Sequence, residues 1–128
     1  MRTLVLSDLH FGMHSGADVL RDPRRRAPLI AGLAGCDRLV LLGDVLELRH
    51  GPLREAMAIA RKPLAEIGSA LGPDAEVVIL AGNHDNHLVA PWGWRRSAAG
   101  ATGALGLETA VDWAAGEPLA ALAEMLAP

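Results

Sequence analysis

Three apolar runs in this chain are each followed directly by a short polar motif, and this arrangement constrains the fold more than any other feature. The runs, residues 3–7, 38–42 and 76–81, are continuously apolar, which is typical of strands in a parallel sheet covered on both faces. The motifs that follow them are Asp8-Leu9-His10, Gly43-Asp44-Val45-Leu46-Glu47 and Gly82-Asn83-His84-Asp85. The sequence therefore predicts three parallel strands with polar residues at their carboxyl ends.

Helices are predicted between and after these strands. A short helix is expected at residues 28–34, and a longer one at residues 53–71. Pro63 is expected to kink or split the longer helix, because proline lacks an N–H and clashes with the preceding turn. Residues 97–106 are predicted to be a loop, and a last helix is expected to end at Leu126 with an apolar face. The order β-α-β-α-β implies right-handed crossovers and an α/β fold with a parallel sheet.

The composition indicates one globular domain. The chain has 128 residues, of which 51% are hydrophobic, and no apolar run approaches the roughly 20 residues of a membrane span or resembles a signal peptide. Cys36, the only cysteine, is interpreted as a small buried hydrophobe, and its isolation fits a reducing, cytoplasmic setting. The net charge of −3 argues against nucleic-acid binding by charge, and the basic run 24–26 is interpreted as solvated rather than phosphate-attracting.

The polar motifs carry ligand types that suit divalent cations. Asp8 and His10 are two residues apart, so their side chains share one side of an extended backbone. The carboxylate of Asp44 has two oxygens and can bridge two ions, and Asn83 offers a neutral amide oxygen. Such ligands suit Mn, Fe, Mg or Zn and do not choose among them. Because ligands of open parallel sheets bind beyond the carboxyl ends of the strands, we expect these four residues to meet there.

The third motif adds groups that can move protons. Two cations about 4 Å apart would clamp a phosphoryl oxygen and acidify a bridging water into a nucleophile. His84 is expected to hydrogen-bond the phosphate or protonate the leaving group, and Asp85 to orient that imidazole or raise its pKa. The motifs therefore predict a hydrolase that acts on phosphate esters, with His84 and Asp85 as its catalytic residues.

Single motif residues also suit ordinary turns, because Asp, Asn and Gly are favoured directly after strands. The ordered set of three motifs favours a metal site over that alternative. The sequence leaves two roles open for Glu47, which either belongs to the site or forms a surface ion pair with Arg49 or Arg54.

Other polar and aromatic residues are predicted to be structural. His14 and His87 are interpreted as solvated loop residues rather than substrate contacts, and His50 as a turn residue. Trp92 and Trp94 are expected to pack a short helix against the core rather than to form a lid or a lipid-facing patch.

Together the three motifs resemble those of the calcineurin-like metallophosphoesterases, which read Asp-x-His, Gly-Asp-x-x-(Asp/Glu) and Gly-Asn-His-(Asp/Glu). The resemblance covers residues 3–87. It implies that Asp8, His10 and Asp44 hold one cation, and that Asp44 and Asn83 hold a second. It also implies that His84 is catalytic. We expect two divalent ions, with Mn²⁺ ahead of Fe, Mg or Zn.

The second motif ends in Glu47, and this form looks more like the bacterial members that cut phosphodiester or pyrophosphate bonds. That branch includes the UDP-diacylglucosamine pyrophosphohydrolase type. The motif looks less like that of the protein Ser/Thr phosphatases, in which Arg-Gly follows the last Asp.

The chain departs from the family pattern after its third motif. The family has a further His and a Gly-His-x-His motif, whereas no His follows His87. The resemblance therefore implies an incomplete domain over residues 1–128, with a βαβαβ metal-motif core at 1–87 and a helical and loop segment at 88–128. This would be the first half of an α/β/β/α sandwich. Its uncovered sheet face would favour homo-oligomers. Because these later histidine ligands are missing, we expect weak or absent hydrolysis from the 128 residues alone and hydrolysis only from a longer parent chain. The alternative is a non-catalytic scaffold or binding module that keeps the half-fold.

Overall fold

The computed structural model describes residues 1–101, 103–106 and 109–127. Its centre is a parallel sheet of three strands in the order β1 (Thr3–Leu6), β2 (Arg38–Leu42) and β3 (Glu76–Leu80). The first residues of the three strands are paired, with Thr3 opposite Arg38 and Arg38 opposite Glu76. This confirms the predicted α/β fold with a parallel sheet, and it brings the three polar motifs to the same edge.

The helix before β2 is longer than the sequence predicts. Helix α1 (Pro23–Leu33) begins well before residue 28, and Pro28 lies inside it. The side chain of Asp22 accepts a hydrogen bond from the backbone N–H of Arg24 at 2.9 Å, so it caps the helix. Pro23 occupies the first turn, where its missing N–H has no helical partner to lose. These two residues, rather than Pro28, set the start of the helix.

Helix α2 (Leu53–Ala70) runs without interruption through Pro63, so the predicted split is wrong. Proline inside a helix costs about 3 kcal/mol, whereas each fully buried Leu or Ile contributes about 1.5–3 kcal/mol. The buried face of α2 therefore outweighs the lost hydrogen bond. It consists of Ala56, Ala60, Pro63, Leu64, Ile67 and Gly68.

Two helices follow β3. Helix α3 (Ala90–Ala98), which comes after a 3₁₀ turn at Asn86–Leu88, has no buried residue, and 71% of Trp94 is exposed. The interpretation of Trp92 and Trp94 as core residues is therefore wrong. Helix α3 also extends into the predicted loop, of which residue 102 lies outside the described residues. Helix α4 (Pro118–Leu126) ends where predicted and buries Leu119, Leu122, Met125 and Leu126.

The hydrophobic core lies on one face of the sheet. Side chains alternate between the two faces of a strand, and those facing the helices join the core: Leu4, Leu6, Leu39, Leu41, Val77 and Ile79. The opposite face, hereafter the open face, carries Val5, Val40, Leu42, Val78 and Leu80. Val5 is 53% exposed and Leu42 51%. The expectation of a sheet covered on both faces is therefore wrong, whereas the uncovered face implied by the family resemblance is present.

Arg26 departs from the predicted solvated run. It is buried, and its Nε and Nη2 atoms each lie 2.7 Å from Oε2 of Glu66 on α2. Arg24 and Arg25 are exposed, as predicted, and Cys36 is buried, as predicted. None of the described helices combines the length and the hydropathy needed to cross a membrane.

Candidate metal centre

Backbone hydrogen bonds join the first two motifs beyond the ends of β1 and β2. The N–H of His10 donates to the carbonyl of Asp44 at 2.8 Å. The N–H of Phe11 donates to the carbonyl of Val45 at 3.0 Å, and its own carbonyl accepts from the N–H of Glu47 at 3.0 Å. The two loops therefore continue the strand pairing, and this pairing holds the motif side chains at defined positions.

The third motif is fixed against the second. The N–H of His84 donates to Oδ1 of Asp44 at 2.8 Å, and the carbonyl of His84 accepts from the N–H of Leu48 at 3.1 Å. Gly82 packs so closely on Asp44 that an added Cβ would lie 2.6 Å from the backbone nitrogen and 2.7 Å from Cγ of Asp44. Only glycine fits there, which explains this part of the motif.

Asp85 is fully buried and bonded to the backbone. Its Oδ2 accepts from the N–H groups of Val45 at 2.7 Å and Leu46 at 3.3 Å, and its Oδ1 accepts from the N–H of Gly82 at 2.7 Å. Asp85 therefore fastens the second motif to the third. The contact with the His84 imidazole that was expected from Asp85 is made by Glu47 instead.

Glu47 lies at the centre of a cluster of imidazoles. Its side chain is 1% exposed, Oε2 is 2.7 Å from Nδ1 of His84, and Oε1 is 3.1 Å from Nδ1 of His50. Oε1 also accepts from the backbone N–H of Arg49 at 3.0 Å. Burial raises the pKa of the Glu47 carboxyl, but the bond from Arg49 and the contacts with His84 and His50 outweigh it. The pKa therefore lies below its usual value.

This position resolves the choice that the sequence left open for Glu47. The carboxylate faces the site, and its contact with Arg49 is to the backbone rather than to the guanidinium. His50 lies in an exposed bend, as the sequence predicts, but the sequence does not predict its contact with Oε1 of Glu47. The available signal was its spacing, three residues after a motif carboxylate.

Asp8, His10 and Asp44 converge as expected. Their ligand atoms all lie within 4.8 Å of one another, and Nε2 of His10 is 3.7 Å from Oδ1 of Asp8. All three residues have left-handed backbone, with φ of 57°, 47° and 54°. Each such conformation costs on the order of 1–3 kcal/mol in a non-glycine residue. The backbone is therefore strained at all three positions where two carboxylates and an imidazole come together. This donor set fits a divalent cation.

The other nitrogen of His10 supports the same fit. Nδ1 is buried and has no hydrogen-bond partner among the described residues; Oε2 of Glu47 lies 3.4 Å away, outside hydrogen-bond geometry. A histidine that binds a metal through one nitrogen commonly points the other at a carboxylate. Nε2 beside Asp8 and Nδ1 beside Glu47 match that arrangement.

The amide of Asn83 lies between Asp44 and Arg49, and its two orientations make different contacts. With the nitrogen towards Asp44, the amide donates to Oδ2 of Asp44 at 3.3 Å, and its oxygen accepts from Nη1 of Arg49 at 3.2 Å. In the reversed orientation, the oxygen faces the carboxylate and the nitrogen faces the guanidinium. A cation held jointly by Asn83 and Asp44 requires the reversed orientation, because the amide oxygen is the ligand.

Two other candidate histidines stay outside this cluster. Nε2 of His14 is 3.5 Å from Oε1 of Glu55, in a pair of largely exposed side chains. His87 is exposed in the 3₁₀ turn before α3. Both are solvated, as the sequence predicts.

Comparison with known proteins adds one finding to this geometry. The profile of the calcineurin-like phosphoesterases matches residues 1–124, well beyond the segment that carries the three motifs. No curated protein and no solved structure gives a significant match. The parallel sheet with helices on one face is consistent with the first half of this family's fold. The chain therefore belongs to the calcineurin-like phosphoesterase family.

Proposed function

We propose that these residues form the centre of a hydrolase that uses two divalent cations to cleave a phosphate monoester, diester or pyrophosphate bond. The observation that carries the proposal is the convergence of Asp8, His10 and Asp44, whose ligand atoms lie within 4.8 Å of one another on strained backbone. Two carboxylates this close repel each other in the absence of positive charge, and a cation removes that cost.

In this proposal Asp8, His10 and Asp44 hold one cation, and Asp44 and Asn83 hold the second. Mn²⁺ is our first choice to test, ahead of Fe, Mg or Zn, although oxygen and imidazole nitrogen ligands without thiolate suit all four ions. A bound divalent cation supplies positive charge to phosphoryl oxygens and makes water more acidic. Four side chains do not fill two coordination shells, so water, substrate or further side chains complete them.

His84 is the proposed catalytic residue and Glu47 its positioning residue. The 2.7 Å contact between Oε2 of Glu47 and Nδ1 of His84 favours a proton on Nδ1. Nε2 is then the atom that exchanges a proton with the leaving-group oxygen. The buried carboxylate of Glu47 also holds the His84 ring in one orientation. Asp85 supports this arrangement through the backbone of both motifs.

Two features of the sequence support a substrate class and a location for this hydrolase. The Glu at position 47 supports the bacterial branch that acts on phosphodiesters and pyrophosphates, and the single cysteine supports a cytoplasmic setting. Both are inferences from sequence.

The direct test combines calorimetric titration with Mn²⁺ and hydrolysis of bis(p-nitrophenyl) phosphate by a parent chain that supplies the remaining ligands. We expect Asp44→Asn to weaken Mn²⁺ binding and to abolish hydrolysis, because this residue contributes to both proposed ion sites. Asp74→Asn, in an exposed loop, is the matched control. Hydrolysis that survives unchanged in Asp44→Asn would refute the bridging role.

A non-catalytic binding module is the second candidate, and the open face is the observation that favours it. Val5 and Leu42 are each about half exposed there, and contiguous apolar surface of this kind marks interaction sites. Homo-oligomers formed through this face are part of both candidates. The same Mn²⁺ titration separates them, since a chain that binds no Mn²⁺ would support the binding module.

A further inference from the structure

Arg49 brings a guanidinium to the rim of the candidate metal centre. Its backbone N–H is fixed to Oε1 of Glu47 at 3.0 Å, and its Nη1 lies 3.2 Å from the Asn83 amide. In the part of the chain that the structure describes, no carboxylate forms a salt bridge with this guanidinium. Its positive charge therefore stands beside the site without an anionic partner among the described residues.

The Asn83 amide can satisfy only one neighbour at a time with its oxygen. When the oxygen accepts from Nη1 of Arg49, the nitrogen faces Asp44, which excludes a cation shared by Asn83 and Asp44. When the oxygen faces Asp44, the amide nitrogen and Nη1 of Arg49 are two donors facing each other. Both side chains are exposed, so water accepts from these donors until an anionic oxygen replaces it, and the two donors together suit one such oxygen.

We propose that cation binding turns the Asn83 amide over and thereby releases Arg49 to bind a non-bridging phosphoryl oxygen of the substrate, together with the amide nitrogen of Asn83. The inference rests on the proposed function, because it requires the cation that Asp44 and Asn83 share. It makes Arg49 a substrate-binding residue and names its ligand class as a phosphate ester. Arginine suits this role because its planar fork donates charge-assisted hydrogen bonds to phosphate.

Arg49→Ala separates this role from a structural one, because it affects the two ligands in opposite directions. Inorganic phosphate is expected to bind the Mn²⁺-loaded variant about 10- to 100-fold more weakly, since hydrogen bonds to a charged group are lost. Mn²⁺ alone is expected to bind the variant about two- to tenfold more tightly, since no Arg49–Asn83 hydrogen bond has to break first. Both quantities are measured by calorimetry, without reference to turnover.

Two further variants sharpen the result. Arg61→Ala removes the same charge from an exposed position on α2, and we expect it to leave both affinities within about twofold of the wild type. Arg49→Lys keeps the positive charge but lacks the paired N–H donors of the planar guanidinium. Its phosphate affinity should therefore lie between those of Arg49→Ala and the wild type.

The outcomes distinguish this inference from the proposed function. Mn²⁺ binding by the wild type, with equal phosphate affinity in Arg49→Ala, would overturn the inference and leave the proposed function standing. Weaker binding of both ligands in Arg49→Ala would also overturn it, because it would show a structural role. A wild-type chain that binds no Mn²⁺ would overturn the proposed function and the inference with it.

Discussion

Oε2 of Glu47 lies 2.7 Å from Nδ1 of His84, and this contact joins residues 37 positions apart in the chain. Glu47 follows β2 and His84 follows β3, so the parallel pairing of these two strands brings them together. The carboxylate is buried at 1% exposure, so its charge acts on the imidazole with little screening by water. In our proposal this contact places a proton on Nδ1 of His84 and leaves Nε2 to face the substrate.

Glu47→Gln is expected to lower kcat about 10²- to 10⁴-fold, the usual contribution of a positioned acid or base. The amide keeps the size of the side chain but loses the carboxylate oxygen that accepts from Nδ1 of His84 in our proposal. We expect Mn²⁺ affinity to fall by about tenfold, less than kcat, because Glu47 also lies 3.4 Å from Nδ1 of the proposed metal ligand His10 but outside hydrogen-bond geometry. Hydrolysis rates and Mn²⁺ titration on the same preparation measure both effects.

Glu55→Gln is the matched control, since Glu55 also lies beside a histidine, with His14 at 3.5 Å, but in an exposed pair. Its kcat should not change. If Mn²⁺ affinity falls as far as kcat in Glu47→Gln, then Glu47 is a metal ligand with His10 and His84 rather than a positioning residue.

Asp85→Asn tests the assignment of this carboxylate to structure. An amide nitrogen in place of either oxygen would face the N–H of Gly82 or those of Val45 and Leu46, leaving buried donors unsatisfied. We expect the free energy of unfolding to fall by about 1–3 kcal/mol. Urea unfolding in the presence of EDTA measures it without a contribution from metal, with Asp74→Asn as the exposed control. Unchanged stability with lost hydrolysis would place Asp85 in the chemistry instead.

Gly82→Ala is expected to reduce Mn²⁺ affinity at least about tenfold, as loss of a group that orients a ligand usually does. The added Cβ would lie 2.6 Å from the backbone nitrogen of Asp44, so the proposed bridging ligand must move. Gly72→Ala is the control, because a Cβ at Gly72 meets no atom within 4 Å. Wild-type Mn²⁺ affinity in Gly82→Ala would mean that the position of Asp44 does not govern the site.

The sequence predicts the sheet and the motif edge well, because apolar runs and turn residues are local signals. It does not predict the start of α1 at Pro23 or the continuity of α2 through Pro63, because capping by Asp22 and burial of one helix face decide them. The Arg26–Glu66 pair and the Glu47–His84 contact also depend on strands and helices packing together. Local spacing carries no information about such partners.

The pH dependence of stability has a predictable component at Asp22. The backbone N–H of Arg24, followed by its guanidinium, holds the pKa of the Asp22 carboxyl below its usual value. A carboxyl with a lowered folded-state pKa contributes stability above its unfolded pKa, and this is lost as the pH falls through the folded value. Asp22→Asn keeps a capping oxygen without a titrating group.

We therefore expect the wild type to be more stable than Asp22→Asn near neutral pH, with the difference narrowing below about pH 4, the usual range of Asp. Chemical unfolding of both proteins across this range measures the difference. A difference that stays constant with pH would show that the charge of Asp22 does not contribute.

The open face makes a prediction about association. Val5 is 53% exposed at the centre of β1, and the neighbouring Val40 and Val78 continue the apolar surface across the sheet. Burying such a surface against a second copy contributes about 25 cal/mol per Å² of apolar area, whereas a Lys placed there must lose hydration or remain in water. We expect the wild type to self-associate in sedimentation equilibrium and Val5→Lys to shift towards monomer. Val19→Lys, at a 47% exposed valine before α1, should associate like the wild type, and a monomeric wild type would refute the interface.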